Sequence, residues 1–337
     1  MRYQRAHGVS RREVLGRLTL AGTAGLLGLH AGPVAAEPPP EMTTLKIPNS
    51  PAACFAPQFV AEDLLRAEGF TDLQYVSPTP GPFTKALAAG EFDLSMLDAP
   101  AEVLSLDRGE AIVILAGVHG GCFELFSREQ VRSVRELKGR TVAVTDEGGR
   151  RAFVASMAVL VGLDPRKDLT FVEHPSHEGM RLFTEGHVDA FIGFPPEPQE
   201  LRAKQIGHVV VNTGVDRPWS QYFCCMVAGN QAFVRKHPVA TKRALRAILK
   251  AADICTREPD WVAQFLVGKA ITRRDDYSFQ SLQEISYRWR EYNPEDTLRF
   301  YALRLHEAGM IKSTPQQLIA QGTDWRFLNE LTKELKG

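Results

Sequence analysis

A chain of 337 residues with 44% apolar side chains carries enough core material for one large domain or two lobes. Lysine plus arginine and aspartate plus glutamate stand at 40 each, so there is no basic excess of the kind that displaces counterions from nucleic acid. The five cysteines are an odd number with no CxxC pair, which argues against a disulfide scaffold, and no run of Cys and His has zinc-binding spacing.

Ser10-Arg11-Arg12-Glu13-Val14-Leu15 is a twin-arginine pattern, and the Gly-rich run Leu18–Leu29 behind it is too short for a permanent span. Val34-Ala35-Ala36 supplies small residues for a signal peptidase. Residues 1–36 are therefore expected to be a twin-arginine signal peptide; the alternative is a chance basic N-terminus. Cleavage after Ala36 removes five arginines and one glutamate and leaves 301 residues with a net charge of −4. The product is expected to be exported, periplasmic and soluble.

Thr44–Ile47 reads as a strand, followed by the turn-rich loop 48–54 and a helix in which Phe59, Val60, Leu64 and Leu65 recur at helical spacing up to Gly69. Leu73–Val76 is a strand, Pro82–Ala89 a helix, Phe92–Leu97 a strand and Ala101–Asp107 a helix. Ala111–Val118, β-branched and almost uncharged, is expected to be a central parallel strand buried on both faces. Cys122–Phe126 is expected as the next strand and Val134–Lys138 as a short helix. The strand Arg140–Val144, the helix Ala152–Leu160 and the run Leu169–Val172, Glu178–Thr184 and Ala190–Phe194 follow. A helix through Ala203 and the strand His208–Val211 lead to Tyr222–Ala228, an apolar run expected to return the chain to the first lobe. Helices are then expected over Val239–Ile254, Trp261–Val267, Leu282–Arg290, Glu295–Ala308 and Trp325–Leu335.

The segment Ala86–Pro100 is echoed by Arg181–Pro196: Gly90 matches Gly186, Asp93 matches Asp189, and an apolar run follows each Asp. Leu73–Val76 matches Leu169–Val172 at the same offset, so one β-α-β-α-β unit occurs twice. Alternating strands and helices imply parallel sheets with right-handed crossovers, and two such lobes facing each other hold a small molecule between them.

Ligands of such sheets lie beyond the carboxyl ends of the strands, so the strand-to-helix loops carry the candidates. These are Asn49, Ser50 and Phe55; Asp98; His119 and Gly120; Gly148, Gly149 and Arg150; Phe194 and Glu197. Trp219 and Tyr222, just before the return crossing, are added. Gly148–Arg151 at a helix start offers free amides and two guanidinium groups, which favour a carboxylate, sulfonate or phosphate. The helix-terminus contribution is about 0.3–1 kcal/mol when exposed and ~2 when partly buried. Asp146 and Glu147 offset part of that charge, and a solvated turn is the alternative. Asp98 either meets a ligand amine or ring N–H or caps the next helix through the Ala101 or Glu102 amide; the roles are compatible. The glycines after His119 allow close backbone approach to a ligand. Phe55, Phe194, Trp219 and Tyr222 suit an apolar pocket, with core packing as the alternative. Glu197 is a polar anchor or an exposed acid at a helix start. Cys224 and Cys225, in a hydrophobic run, read as buried thiols. Neither a GxxxxGK[ST] loop nor a GxSxG elbow occurs, so no catalytic residue, metal or cofactor is assigned.

Taken together, Phe55-Ala-Pro57 with Val60-Ala61, Leu87–Asp93, Val134–Val144, Gly162–Pro165, Glu185–Asp189 and Cys224-Cys225 resemble the periplasmic solute-binding proteins of ABC importers for nitrate, sulfonates and taurine, over residues 43–256. The resemblance implies an α/β, two-lobed periplasmic-binding-protein fold of type II. Each lobe is then a mostly parallel sheet flanked by helices, with a helical C-terminal extension. Lobe I is expected over 43–127 plus 222–335, and lobe II over 128–221. The implied partners are a membrane permease and its separate ATPase, with the binding protein a monomer; because Ser95–Pro100 and Phe194–Glu197 depart from the ligand loops of sulfonate binders, the ligand is expected to be a small organic anion with an aromatic or amine part. The superfamily also contains thiamine pyrimidine synthases that use pyridoxal phosphate, but Leu97 and Ala101 stand where that group has its lysine and histidine. An enzyme of that type and a ligand-sensing partner of a receptor are the alternatives.

Overall fold

The computed structural model describes residues 37–336 apart from 51, 129, 146–148 and 273–275. The expected signal peptide and Gly148 therefore lie outside the described residues.

The first half of the chain runs β1 (Thr44–Pro48), α1 (Ala56–Val60), α2 (Glu62–Ala67), β2 (Asp72–Val76), α3 (Phe83–Ala88), β3 (Leu94–Asp98), α4 (Ala99–Asp107), β4 (Ile112–His119) and β5 (Glu124–Ser127). A second pass follows as β6 (Arg140–Val144), α5 (Gly149–Leu160), β7 (Leu169–Glu173), α6 (Ser176–Glu185), β8 (Ala190–Gly193), α7 (Glu197–Ala203) and β9 (His208–Asn212). The repeat extends to hydrogen bonds. The Asp93 carboxylate accepts from the Lys46 N–H at 2.8 Å, and Asp189 accepts from the Thr141 N–H at 2.8 Å. Each Asp thus ties the first strand of its copy to the third. Gly90 and Gly186 end the preceding helices at φ +78° and +88°, a conformation that costs any side-chain-bearing residue.

The last stretch is β10 (Cys225–Asn230), α8 (Gln231–Lys236), α9 (Pro238–Arg257), α10 (Pro259–Gly268), α11 (Asp276–Glu284), α12 (Pro294–Glu307), α13 (Pro315–Gly322) and α14 (Arg326–Glu334). β10 enters antiparallel between β3 and β4, while β1 and β2 pair parallel beside them. A third sheet, of five strands, has the order β7-β6-β8-β5-β9, parallel over its first three strands and antiparallel at β5 and β9.

Several expectations are corrected. β4 is buried along its whole length, but it is an outer strand antiparallel to β10, not a central parallel one. A hydrophobic run reports burial on both faces, not the direction of its neighbour. The tail covers its outer edge: Ile114 bridges Thr323, and the Asp324 N–H donates to the Ile114 carbonyl at 3.0 Å. The strand expected at 122–126 is β5, two residues later, paired with β8 and β9. The helix expected over 282–290 ends at Glu284, and α13 was not anticipated. The Thr314–Gln317 capping box with Pro315 behind it was its unread signal.

Two crossings join the halves, and they run together. The Thr213 N–H donates to the Phe123 carbonyl at 2.9 Å, and the Phe123 N–H donates to Thr213 Oγ1 at 2.9 Å. A Cβ on Gly121 would lie 2.0 Å from the Thr213 carbonyl oxygen, so only glycine allows this approach. Behind them, α12 packs on both α4 and α5.

Candidate functional site

β10 starts where β3 and β4 end. Cys225 is in register with Asp98 on one side and with His119 on the other. The Cys224 N–H donates to the His119 carbonyl and its own carbonyl accepts from Ala99 N–H, each at 2.9 Å. The antiparallel insertion therefore brings the second crossing to the carboxyl ends of β3 and β4. A cavity of about 310 Å³ opens there, with the ends of β6 and β8 and the start of α5 supplying the opposite wall through Thr145, Phe194 and Arg150.

Ser50, Phe55, Asp98, Gly149, Arg150 and Phe194, all candidates from sequence, line this cavity. Phe83, Thr84, Leu97, Phe123 and Thr145 also line it and were not among the ligand candidates. Phe83 lies on a helix read only as scaffold, and Phe123 lies on the first crossing. The remaining candidates lie elsewhere. Asn49 has an exposed side chain, and its N–H extends the β1–β2 pairing to the Val76 carbonyl at 2.7 Å. Trp219 and Tyr222 pack on α12, at 5.3 and 4.1 Å between ring centroids from Phe300. Gly120 donates its N–H to the Ser286 carbonyl at 3.0 Å, away from the cavity. His119 is wholly buried beneath the cavity floor. Glu197 stands behind Arg150.

The charges do not form an open anion site. Arg150, buried, reaches Glu197 at 3.4 Å and Ser176 Oγ at 2.5 Å, and its guanidinium lies 4.3 Å from the Phe194 ring centroid. Glu197 also accepts from the Phe194 N–H at 3.1 Å and from the Ser176 hydroxyl. Arg151 turns outward to Glu173 at 2.8 Å. Asp98 caps α4 through the Ala101 N–H at 3.1 Å, and its carboxylate lies so close to Gly149 that a Cβ there would fall 2.1 Å from Oδ1. The start of α5, expected to receive a ligand anion, thus already faces a protein carboxylate. Below Asp98, Glu102 is fully buried, and neither carboxyl oxygen has a partner among the described residues. Burial first, and the Asp98 charge second, push its pKa well above the carboxylate range. The Thr145 hydroxyl is buried at the cavity wall and unpaired among the described residues.

Two thiols, Cys54 and Cys225, complete the wall. Behind them Cys122, Cys224 and His119 close a buried group that no sequence spacing announced. Hydrogen bonds with Cys122 and Cys225 outweigh burial and hold the Cys54 thiol well below its ordinary range. Leu97 and Ala101 both line the cavity and, among the described residues, no lysine does, so this donor set does not fit pyridoxal phosphate, which needs an amine to hold its aldehyde.

Strand ends from two halves facing one cavity, two adjacent crossings and a helical tail make up the two-lobed periplasmic-binding-protein fold. The chain belongs to the family described as NMT1/THI5 like, whose profile matches residues 56–261. Among curated relatives, the bicarbonate-binding protein CmpA of Synechococcus elongatus is 29% identical over 110 residues, 32% of this chain and 24% of CmpA. The match thus spans about a quarter of that relative. The periplasmic nitrate-binding protein NrtA from Synechocystis PCC 6803 superposes with a TM-score of 0.71 over 88% of this chain and 90% of NrtA, at 15% identity. The alkanesulfonate-binding protein SsuA from Xanthomonas axonopodis pv. citri, bound to MOPS, gives 0.71 over 85% and 99%, also at 15% identity. The desulfurization enzyme DszB shares the fold with a TM-score of 0.56 over 87% and 99%, at 17% identity. Such identities show a common fold and leave the ligand to the site itself.

Proposed function

We propose that this chain is the extracytoplasmic solute-binding protein of an ABC importer, and that it captures a small aromatic molecule bearing an N–H donor between its lobes. The observation that carries the reading is the cavity itself. Phe55, Phe83, Phe123 and Phe194 form its apolar wall, with Asp98 on one side and Thr145 on the other. Its volume of about 310 Å³ falls at the lower end of small-molecule sites, roughly 300–1,000 Å³, and is ample for a ring system. A bare inorganic anion would leave most of it empty and would meet the Asp98 carboxylate. An N–H donor on the ring suits Asp98, and a polar substituent suits the Thr145 hydroxyl. The reading thus keeps the aromatic and amine part of the ligand expected from sequence and drops the requirement for an anionic group.

On this reading residues 43–127 and 222–335 form lobe I and 128–221 lobe II, with β5 contributing to the sheet of lobe II. The lobes close around the ligand, and the monomeric complex docks on a permease with a separate ATPase. Export to the periplasm follows the twin-arginine pattern. A thermal-shift screen of the full chain tests the ligand class, with nitrogen heterocycles, aromatic amines, thiamine precursors, nitrate, sulfonates and pyridoxal phosphate in the panel. A ligand at 100 times its Kd adds about 2.7 kcal/mol of stability. The expected result is a shift with an N–H-bearing aromatic that Asp98→Asn removes. Shifts confined to nitrate or sulfonates, or conversion of the ligand during incubation, would overturn the reading.

A further inference from the structure

Beneath the cavity, four thiols and one imidazole converge from four places in the chain. Cys54 comes from the loop after β1, His119 from the end of β4, Cys122 from the first crossing, and Cys224 with Cys225 from the second. Donor atoms of Cys54, His119 and Cys122 lie within 4.8 Å of one another, and so do those of His119, Cys224 and Cys225. Cys122 Sγ and Cys224 Sγ, one from each group, are 3.5 Å apart. All five residues are buried.

The imidazole is set up as a ligand. Its Nδ1 lies 2.6 Å from the Gly120 carbonyl oxygen, which only accepts, so Nδ1 carries the proton. Nε2 is left with its lone pair inside the cluster, buried and, among the described residues, with no partner at hydrogen-bond geometry and only the Cys54 thiol close by. Orienting a ring through Nδ1–H and a backbone carbonyl is how metal-binding histidines are held. A buried nitrogen without a full partner is costly unless something meets it. The sulfurs of a tetrahedral zinc site stand about 3.8 Å apart, from Zn–S bonds of about 2.3 Å. Within each group the donors are at most about 1 Å further apart than that, and drawing His119 and three thiols onto one ion requires the two groups to move together, starting from the Cys122–Cys224 contact.

We propose that this cluster is a closed site for a thiophilic d10 cation, Zn²⁺ or Cu⁺, bound by His119 and the thiols of Cys54, Cys122, Cys224 and Cys225. Soft sulfur donors with one imidazole select such ions over Mg²⁺ or Ca²⁺. A tetrahedral ion takes His119 and three of the four thiols. Each coordinated thiol releases its proton to solvent, and no electron is transferred. The ion links both crossings to the loop after β1, so its occupancy sets the stiffness of the joint between the lobes. The inference does not depend on the identity of the cavity ligand.

The test uses the full chain, purified reduced and stripped with a chelator, then offered Zn²⁺ alone or Cu⁺ alone and desalted. Native mass spectrometry is expected to show one ion per chain with either probe, the preferred one surviving competition by the other. Co²⁺ in place of zinc is expected to give the intense visible bands of a tetrahedral thiolate site. Binding should be lost in Cys122→Ser/Cys224→Ser, weakened at least tenfold in His119→Ala, and unchanged in Cys255→Ser, whose thiol lies outside the cluster. Retention of no ion, equal retention by the double variant, or a chain lighter by the hydrogens of a Cys122–Cys224 disulfide would overturn the proposal. Should the variants fail to fold, X-ray absorption of the zinc-loaded natural chain decides: sulfur with one nitrogen supports the site, and oxygen and nitrogen alone refute it.

Discussion

Glu124 at the start of β5 shows how one residue couples the five-stranded sheet to pH. Its Oε1 faces Arg202 and the Asn212 amide, each at 3.1 Å, while Oε2 is buried with no partner among the described residues. Burial outweighs the arginine and raises its pKa from 4.5 to about 7. Folding therefore favours the protonated acid. Its contribution to stability is complete below about 4.5 and is lost as the pH rises through about 7. The melting temperature of Glu124→Gln should fall less over this window than that of the natural chain, and parallel curves would refute the assignment. At this scale the sequence was informative where a side chain acts on its neighbours, as with the Asp98 cap. It offered Glu197 as a polar anchor or an exposed acid but was silent on its partner, Arg150, which lies 47 residues away.

The duplicated unit makes a claim at the scale of elements. Asp93 and Asp189 each accept a hydrogen bond from the first strand of their own copy, and Asp189 also accepts from Thr141 Oγ1 at 2.7 Å. A bond to a charged acceptor contributes about 1.5–3 kcal/mol. Asp93→Ala and Asp189→Ala should each lower the unfolding free energy by about that much in urea titrations. Because the two residues belong to different sheets, the double variant should show the sum. A loss well below the sum would mean that the copies do not act independently. The copies were legible because a glycine cap, an aspartate and an apolar strand recur together within 15 residues. The direction of β10 was not, because an apolar run packs equally well parallel or antiparallel.

At the scale of the molecule, α12 holds the halves against each other. Tyr301, fully buried, meets Phe153 of α5 at 5.5 Å and Trp219 of the second crossing at 6.4 Å between ring centroids. Truncating a large buried aromatic costs about 3–5 kcal/mol. Tyr301→Ala should lower the unfolding free energy by about that amount, read by chemical denaturation. A loss under about 1 kcal/mol would show that the tail is not part of the joint. Trp219 and Tyr222 belong to this contact and not to the cavity wall. Their partners lie about 80 residues further on, beyond the reach of any local pattern.

The sequence by itself determined the alternation of strands and helices, the twofold repeat and the loops at the carboxyl ends of the strands. Those properties rest on periodicity, caps and turn residues that lie within a few positions of one another. Only the tertiary structure decided the antiparallel seat of β10, the Asp98 carboxylate against the start of α5, the Glu197 that meets Arg150, and the gathering of four thiols around His119. Each of these joins residues from separate strands, loops or crossings, and such contacts exist only once the sheets have brought the strand ends together.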